Sequence, residues 1–175
     1  MRIAVTGANG FIGQQLCPYL QEQLKADVIT LTRAPSAIGD KALSFLASDE
    51  QLISGLVQVD CLIHLAARAH SNATAADLER DNLALSERVA KLALEAKISR
   101  VIYISSIKVN GDSTQSRAPF TADETPRPDD NYGRSKLASE LIFKKYVANT
   151  PTELVIIRPP LVYGSNNKGN LKSLE

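Results

Sequence analysis

The stretch TGANGFIG, residues 6–13, decides the fold that this sequence predicts. It follows a short apolar segment, residues 2–6, that is typical of a buried strand, and it leads into a segment whose apolar residues recur at helical spacing. Its glycines are spaced GxxGxxG. Gly7 allows a tight turn, Gly10 a close approach of the backbone to a pyrophosphate, and Gly13 close packing of the helix on the strand. The order strand, glycine turn, helix predicts a dinucleotide cradle, with turn glycines that bind no ligand as the alternative.

Strand and helix signals alternate along the rest of the chain. Further strands are predicted at 27–32, 41–46, 61–66, 101–105 and 154–158, and helices at 11–24, 49–57, 74–97 and 133–148. This alternation predicts an α/β fold of the Rossmann type, a doubly wound parallel sheet with helices on both faces and right-handed crossovers. The polar, proline-rich residues 110–131 are typical of a long functional loop.

The composition is that of an ordinary globular domain. The 175 residues are 44% hydrophobic and 22% charged, with a net charge of +1, which gives no reason to expect a nucleic-acid partner. No apolar run approaches the length of a membrane span. The isolated Cys17 and Cys61 and the lack of a secretion signal predict buried, reduced thiols in a cytoplasmic protein. No His, Cys and Asp cluster has metal-ligand spacing, so no metal is expected.

The end of the second predicted strand decides between NAD and NADP. An acidic side chain there holds the ribose hydroxyls of NAD, whereas this chain has Thr32 and Arg33. Thr32 leaves room for a 2′-phosphate, and the guanidinium of Arg33 can pair with that group in a fork. We therefore expect NAD or NADP, with Arg33 favouring NADP. The alternative is that Arg33 is solvated or stacks on the adenine.

A second motif, YGRSK at residues 132–136, predicts proton transfer. Tyr132 and Lys136 are four residues apart, which puts both on one side of a helix start. The Lys136 ammonium and a positive nicotinamide ring would favour the Tyr132 phenolate, which exchanges a proton with a sugar hydroxyl or carbonyl while hydride moves to or from nicotinamide. We expect Ser106, at the end of the fifth strand, to hydrogen-bond the same oxygen. The alternative is a surface YxxxK pair without function.

Six ordered motifs resemble the extended short-chain dehydrogenase/reductase family, and within it the nucleotide-sugar epimerase/dehydratase group. They cover essentially the whole chain: TGANGFIG at 6–13, HLAA at 64–67, Asn82, ISSIKVNG at 104–111, YGRSK at 132–136 and RPPLVYG at 158–164. Two of these motifs, ISSIKVNG and RPPLVYG, most resemble a bacterial surface-polysaccharide subgroup. Its members act on UDP-linked N-acetylhexosamines, as 4-epimerases or as reductases of 4-keto sugars.

The resemblance implies roles for the matching positions. Ser106, Tyr132 and Lys136 would be the catalytic set, with Ser106 also meeting the substrate. Asn170 would contact the nucleotide sugar, and Lys108 can approach its diphosphate, an exposed lysine being the equal alternative. The cofactor would lie against residues from the motifs and from the end of the second strand: Gly7, Asn9, Gly10, Phe11, Ile12, Gly13, Thr32, Arg33, Leu65, Ala66, Ala67, Asn82, Ile104, Tyr132, Lys136 and Pro159.

Members of the resembled family continue well past RPPLVYG into a smaller lobe that binds the nucleotide. We therefore expect residues 1–164 to form the NAD(P)-binding Rossmann domain and residues 165–175 to begin a truncated substrate-binding lobe. The resemblance also implies a homodimer through the helices at 74–97 and 133–148. Three functions stay open: a nucleotide-sugar 4-epimerase, an NADPH-dependent 4-keto-sugar reductase, and a non-catalytic cofactor-sensing or assembly protein on the same fold.

Overall fold

The structure of the protein is a computed structural model that describes residues 1–33, 38–68, 75–115 and 117–164. Strands and helices alternate along these residues. Strands β1 to β6 span Arg2–Thr6, Asp27–Thr32, Lys41–Ser44, Cys61–His64, Arg100–Ile104 and Glu153–Ile157. Helices α1 to α4 span Gly13–Leu24, Asp49–Gly55, Ala75–Glu95 and Asn131–Val147, and a short 3-10 helix, Ile107–Val109, follows β5.

The strands form one parallel sheet in the order β3-β2-β1-β4-β5-β6. The predicted Rossmann-type α/β fold is confirmed. The chain proceeds in one direction from β1 to β3 and then returns to place β4 on the other side of β1. This reversal opens a crevice outside the carboxyl ends of β1 and β4, the place where open α/β sheets bind ligands.

Alternate residues of each strand pack on opposite faces of the sheet, and helices cover both faces as predicted. On one face, Ile3 and Val5 of β1 belong to the same buried cluster as Cys17 and Leu20 of α1. On the other face, Ala4 belongs to a larger cluster with apolar residues of α2, α3 and α4. The side of the sheet that carries α1 is less covered at its β6 edge, where Val155 and Ile157 are 39% and 44% exposed.

The ends of several elements differ from the sequence-based predictions by one or two residues. Helix α4 begins at Asn131 and not at residue 133, because the Asp130 carboxylate accepts a hydrogen bond from the Gly133 N–H (2.6 Å) and caps the helix. Tyr132 therefore lies within the first turn and not before it. Helix α1 begins at Gly13 and not at residue 11, since the Gly10 N–H bonds back to the Gly7 carbonyl in a turn (2.9 Å).

Both cysteines are buried and free, as predicted. They lie in the apolar cluster under α1, and burial raises the pKa of the Cys17 thiol to about 11. Within the described ranges, no helix combines the length and apolar character needed to cross a bilayer. The same residues contain no group of His, Cys, Asp and Glu side chains arranged to hold a metal ion.

Candidate active site

The glycine turn packs tightly between β1, β4 and α1. Gly7 follows β1 directly and has a positive φ of 74°, and a Cβ placed there would lie 2.8 Å from the Ala66 nitrogen. A Cβ at Gly13 would lie 2.5 Å from the Gly7 carbonyl oxygen. Among the described residues, no side chain caps the start of α1. The Gln14 and Gln15 N–H groups bond to the Gly10 and Ile12 carbonyls (3.0 and 3.1 Å), so the N–H groups just before them, at the turn, are the ones placed to meet a phosphate.

The segment after β4 forms the opposite wall of the crevice. The Ala66 N–H donates to Thr6 Oγ1 (3.2 Å), which ties this segment to the end of β1. Asn82, buried on α3, accepts from the Arg68 N–H (2.8 Å) and donates to the Arg68 carbonyl (3.1 Å) and to Ser135 Oγ (3.4 Å). Through Asn82, the segment after β4 is therefore hydrogen-bonded to α3 and, by way of Ser135, connected to α4.

Ser106 and Tyr132 are brought together by the packing of α4 on the 3-10 helix. Ser106 Oγ accepts a hydrogen bond from the Lys108 N–H (3.2 Å), and its hydroxyl retains a proton that it can donate. A Cβ at Gly133 would lie 2.4 Å from the Lys108 carbonyl oxygen. Because residue 133 is glycine, the first turn of α4 packs directly on the 3-10 helix that Ser106 caps.

The side chain of Lys136, on α4, is buried against the end of β5. Its Nζ donates to the Ile104 carbonyl (2.7 Å) and lies 4.3 Å from the centre of the Tyr103 ring. Burial lowers the pKa of Lys136 to about 7, while the Glu140 carboxylate acts in the opposite direction.

The pKa of Tyr132 differs from the sequence-based expectation. Burial and then the Asp130 carboxylate raise this pKa, whereas we expected Lys136 to favour the phenolate. Two observations account for the difference. The ammonium of Lys136 is directed at the Ile104 carbonyl, and its own lowered pKa leaves it only partly charged at neutral pH.

One cavity of about 310 Å³ joins the glycine turn to the YGRSK motif. Twelve of its lining residues were predicted site residues: Gly7, Gly10, Phe11, Ile12, Gly13, Leu65, Ala67, Ile104, Ser106, Tyr132, Lys136 and Pro159. Its remaining lining residues were not predicted: Ser105, Pro160 and Val162. The glycine turn and the YGRSK motif, which the sequence predicts as separate parts of a site, therefore line the same cavity.

The other predicted site residues do not line this cavity. Thr32 is buried at the end of β2 and the adjacent Arg33 is exposed. The Asn9 carbonyl accepts a hydrogen bond from the Gln14 side chain (3.0 Å). Ala66 lies in the crevice wall, and Asn82 lies behind this wall on α3. Lys108 forms ion pairs with Asp112 and Asp130. Asn170 lies outside the described residues.

A buried polar cluster next to the cavity was not predicted from the sequence. Glu140 is fully buried, and its carboxylate contacts Arg158 and Ser105. Two signals could have revealed it: Glu140 lies four residues after Lys136, and Arg158 directly precedes Pro159 in the RPPLVYG motif.

The residues present fit a nicotinamide dinucleotide. A Cβ at Gly7 or Gly13 would collide with backbone atoms of the turn and of the crevice wall, so the turn accepts glycine alone at these positions. From this turn the cavity extends to Ser106, Tyr132 and Lys136. Phosphates would lie at the turn and at the start of α1, and the reacting ring would lie near the three polar side chains.

Comparisons with known proteins agree with this geometry. Residues 3–174 match the NAD dependent epimerase/dehydratase family. The chain is 36% identical over 182 residues to a UDP-glucose 4-epimerase from Vibrio cholerae, an alignment that covers 98% of this chain and 55% of that protein. It is 29% identical to a 4-hydroxy-2-methyl-3-oxo-4-farnesyl-3,4-dihydroquinoline-1-oxide ketoreductase from Stigmatella aurantiaca, with 98% and 54% covered.

A solved structure shares the fold closely. The crystal structure of UDP-N-acetylglucosamine 4-epimerase from Bacillus cereus superposes with a TM-score of 0.85 at 31% identity, covering 99% of this chain and 65% of that one. The chain spans about half the length of the curated relatives it matches.

Proposed function

Because the chain belongs to the NAD dependent epimerase/dehydratase family, we propose that it is the cofactor-binding and catalytic part of a nucleotide-sugar 4-epimerase. The observation that carries this proposal is the single cavity shared by the glycine turn and by Ser106, Tyr132 and Lys136. The epimerase relatives from Vibrio cholerae and Bacillus cereus support the reaction type and a UDP-hexose or UDP-N-acetylhexosamine as substrate.

The three polar side chains divide the proton chemistry at the sugar C4 hydroxyl. Tyr132 takes the hydroxyl proton as the C4–H bond breaks, and returns a proton to the same oxygen when the bond forms again. Ser106 donates a hydrogen bond that holds this oxygen in place. Lys136, when protonated, favours the Tyr132 phenolate and so acts against the burial that raises the pKa of this tyrosine. A bound nicotinamide would accept the C4 hydride and return it to the opposite face of the 4-keto sugar.

The cofactor is NAD or NADP, with the choice made at the end of β2. The family description names NAD, whereas the exposed Arg33 beside Thr32 supports binding of a 2′-phosphate. Parallel fluorescence titrations with NADH and NADPH test this point. Tighter NADPH binding that disappears in Arg33→Ala would support Arg33 as the phosphate ligand. Equal affinities, or tighter NADH binding, would make Arg33 a bystander.

A 4-keto-sugar reductase that consumes NADPH is the second candidate. The same Arg33 supports it, as does the likeness to the Stigmatella aurantiaca ketoreductase. In this case Tyr132 would donate its proton to the C4 carbonyl oxygen in a single forward step, and the oxidised cofactor would leave.

We also propose that the chain binds a nucleotide sugar, that residues 1–164 form its cofactor-binding domain, and that it forms a homodimer through α3 and α4.

The two candidates are separated by an assay without added cofactor. A purified protein that contains this chain is given UDP-glucose or UDP-N-acetylglucosamine labelled with deuterium at C4, and the sugar is followed by NMR. An epimerase produces the 4-epimer until equilibrium and retains the deuterium, since the same hydride leaves and returns. The absence of epimer from a folded, cofactor-loaded protein would contradict the proposal, and NADPH oxidation by a 4-keto sugar would then favour the reductase.

A further inference from the structure

Glu140 is a fully buried carboxylate one helical turn after Lys136. It accepts hydrogen bonds from Arg158 Nε (2.9 Å) and Nη2 (2.7 Å) and from Ser105 Oγ (2.5 Å). A guanidinium and a hydroxyl thus replace the water that this buried carboxylate loses. Nothing in the proposed proton transfer uses Glu140 directly.

The Glu140 carboxylate links α4 to the ends of β5 and β6, just behind the cavity. Ser105 follows β5 and lines the cavity, while Arg158 follows β6. Arg158 also donates to Asn110 Oδ1 (3.2 Å), at the end of the 3-10 helix. Glu140 therefore holds the ends of β5 and β6 against α4, the helix that carries Tyr132 and Lys136.

The same carboxylate also acts on Lys136. The titratable and charged side chains around this lysine and Glu140 are His64 on β4, Tyr103 on β5, Tyr132 and Glu140 on α4, and Arg158 after β6. His64 is buried and neutral, with a pKa lowered to about 3 by burial and then by Lys136, and the pKa values of both tyrosines are raised. Glu140 is the acidic member of this group, and its carboxylate raises the pKa of Lys136 against the larger effect of burial.

We infer that Glu140 is a positioning residue, whose carboxylate locks the ends of β5 and β6 to α4 and, one helical turn from Lys136, favours the protonated form of that lysine. This inference rests on the proposed function only in assuming that a charged Lys136 serves the reaction. A purely structural Glu140–Arg158 ion pair is the competing explanation. It predicts a loss of stability on substitution but no change in the proton affinity of Lys136.

The experiment is a titration of Lys136 in the chain without substrate. Lysine side chains are labelled with ¹³C and followed by NMR, and the Lys136 signal is assigned by its loss in Lys136→Met. In Glu140→Gln we expect the pKa of Lys136 to fall by half a unit or more, about a threefold loss of proton affinity. Glu153→Gln is the matched control. It removes a glutamate from an exposed ion pair with Arg100, at the amino ends of β5 and β6 and so at the opposite end of these strands from Glu140.

Removal of Glu140 alone leaves the half-buried Arg158 without its carboxylate partner, so this variant risks failing to fold. The double variant Glu140→Gln, Arg158→Gln removes both charges of the pair. Its Lys136 is also expected to lose proton affinity, because Glu140 is the charged group that acts on the pKa of Lys136 among the described residues. An unchanged pKa of Lys136 in either folded variant would overturn the inference. This readout involves no turnover, so it stands even if the nucleotide-sugar reaction is not found.

Discussion

At the scale of single residues, Lys136 connects stability to pH. In the folded chain burial lowers its pKa to about 7, whereas in the unfolded chain it titrates near 10.4. Between these values the unfolded state binds more protons, so the Lys136 contribution makes the folded state more stable as pH rises. We predict that the free energy of unfolding of the wild type, relative to Lys136→Met, increases with pH from about 7 to 10, by at most about 1.4 kcal/mol per pH unit.

Urea unfolding at a series of pH values measures this difference. The comparison with Lys136→Met cancels the titration of the other lysines, which are common to both proteins. The exposed Lys145, on the same helix, provides a control, and Lys145→Met should follow the pH dependence of the wild type. A difference between wild type and Lys136→Met that does not vary with pH would show that Lys136 keeps an ordinary pKa in the folded chain.

Tyr132 carries the second residue-scale prediction. Tyr132→Phe removes one hydroxyl from the cavity, so we expect cofactor binding to persist and turnover to fall by about 10² to 10⁴-fold, the range typical of a lost general acid–base group. The assay is the NMR measurement of epimer formation, in a protein long enough to turn over. Tyr19→Phe, an exposed tyrosine on α1, should behave as wild type. Undiminished turnover in Tyr132→Phe would exclude it as the proton carrier.

At the scale of elements, the contact between α4 and the 3-10 helix sets the position of Tyr132 relative to Ser106. In Gly133→Ala the new Cβ would lie 2.4 Å from the Lys108 carbonyl oxygen, and this backbone atom cannot rotate away. We predict that the first turn of α4 shifts and that turnover falls at least tenfold, with a smaller effect on cofactor affinity. Gly164→Ala, where the nearest atom is 3.7 Å away, is the control. Wild-type turnover in Gly133→Ala would contradict this role of the contact.

The elements that could be predicted from the sequence are those with strong local signals. The apolar segments at 2–6 and 27–32 match β1 and β2. They could be predicted because a parallel strand that is buried on both faces has a nearly continuous run of apolar residues. The 3-10 helix after β5 could not be predicted in this way, since three residues have no periodicity. It depends on the Ser106 side chain that accepts from the Lys108 N–H. The predicted start of α4 is two residues late, because the polar pattern around its cap, Asp130, is that of a loop.

At the scale of the whole molecule, the sheet order brings distant motifs into one cavity. The glycine turn and YGRSK are more than a hundred residues apart, and the crevice beside β1 and β4 unites them with the ends of β5 and β6. The sequence could predict most cavity residues, because they lie in motifs at strand ends. It could not predict the contacts of Glu140 with Arg158 and Ser105, which depend on how α4 packs across the sheet. It also could not predict that burial would leave Lys136 only partly charged.

We propose above all that the cavity between the glycine turn and YGRSK binds a nicotinamide dinucleotide, with its phosphates at the glycine turn. A fluorescence titration of this chain with NADH tests it most directly, alongside Gly13→Ala and the control Gly164→Ala. We predict saturable one-to-one binding by the wild type and the control. Gly13→Ala should bind at least tenfold more weakly, because its Cβ would lie 2.5 Å from the Gly7 carbonyl and force α1 away from the turn. No saturable binding by the folded wild type, or undiminished binding by folded Gly13→Ala, would contradict the claim.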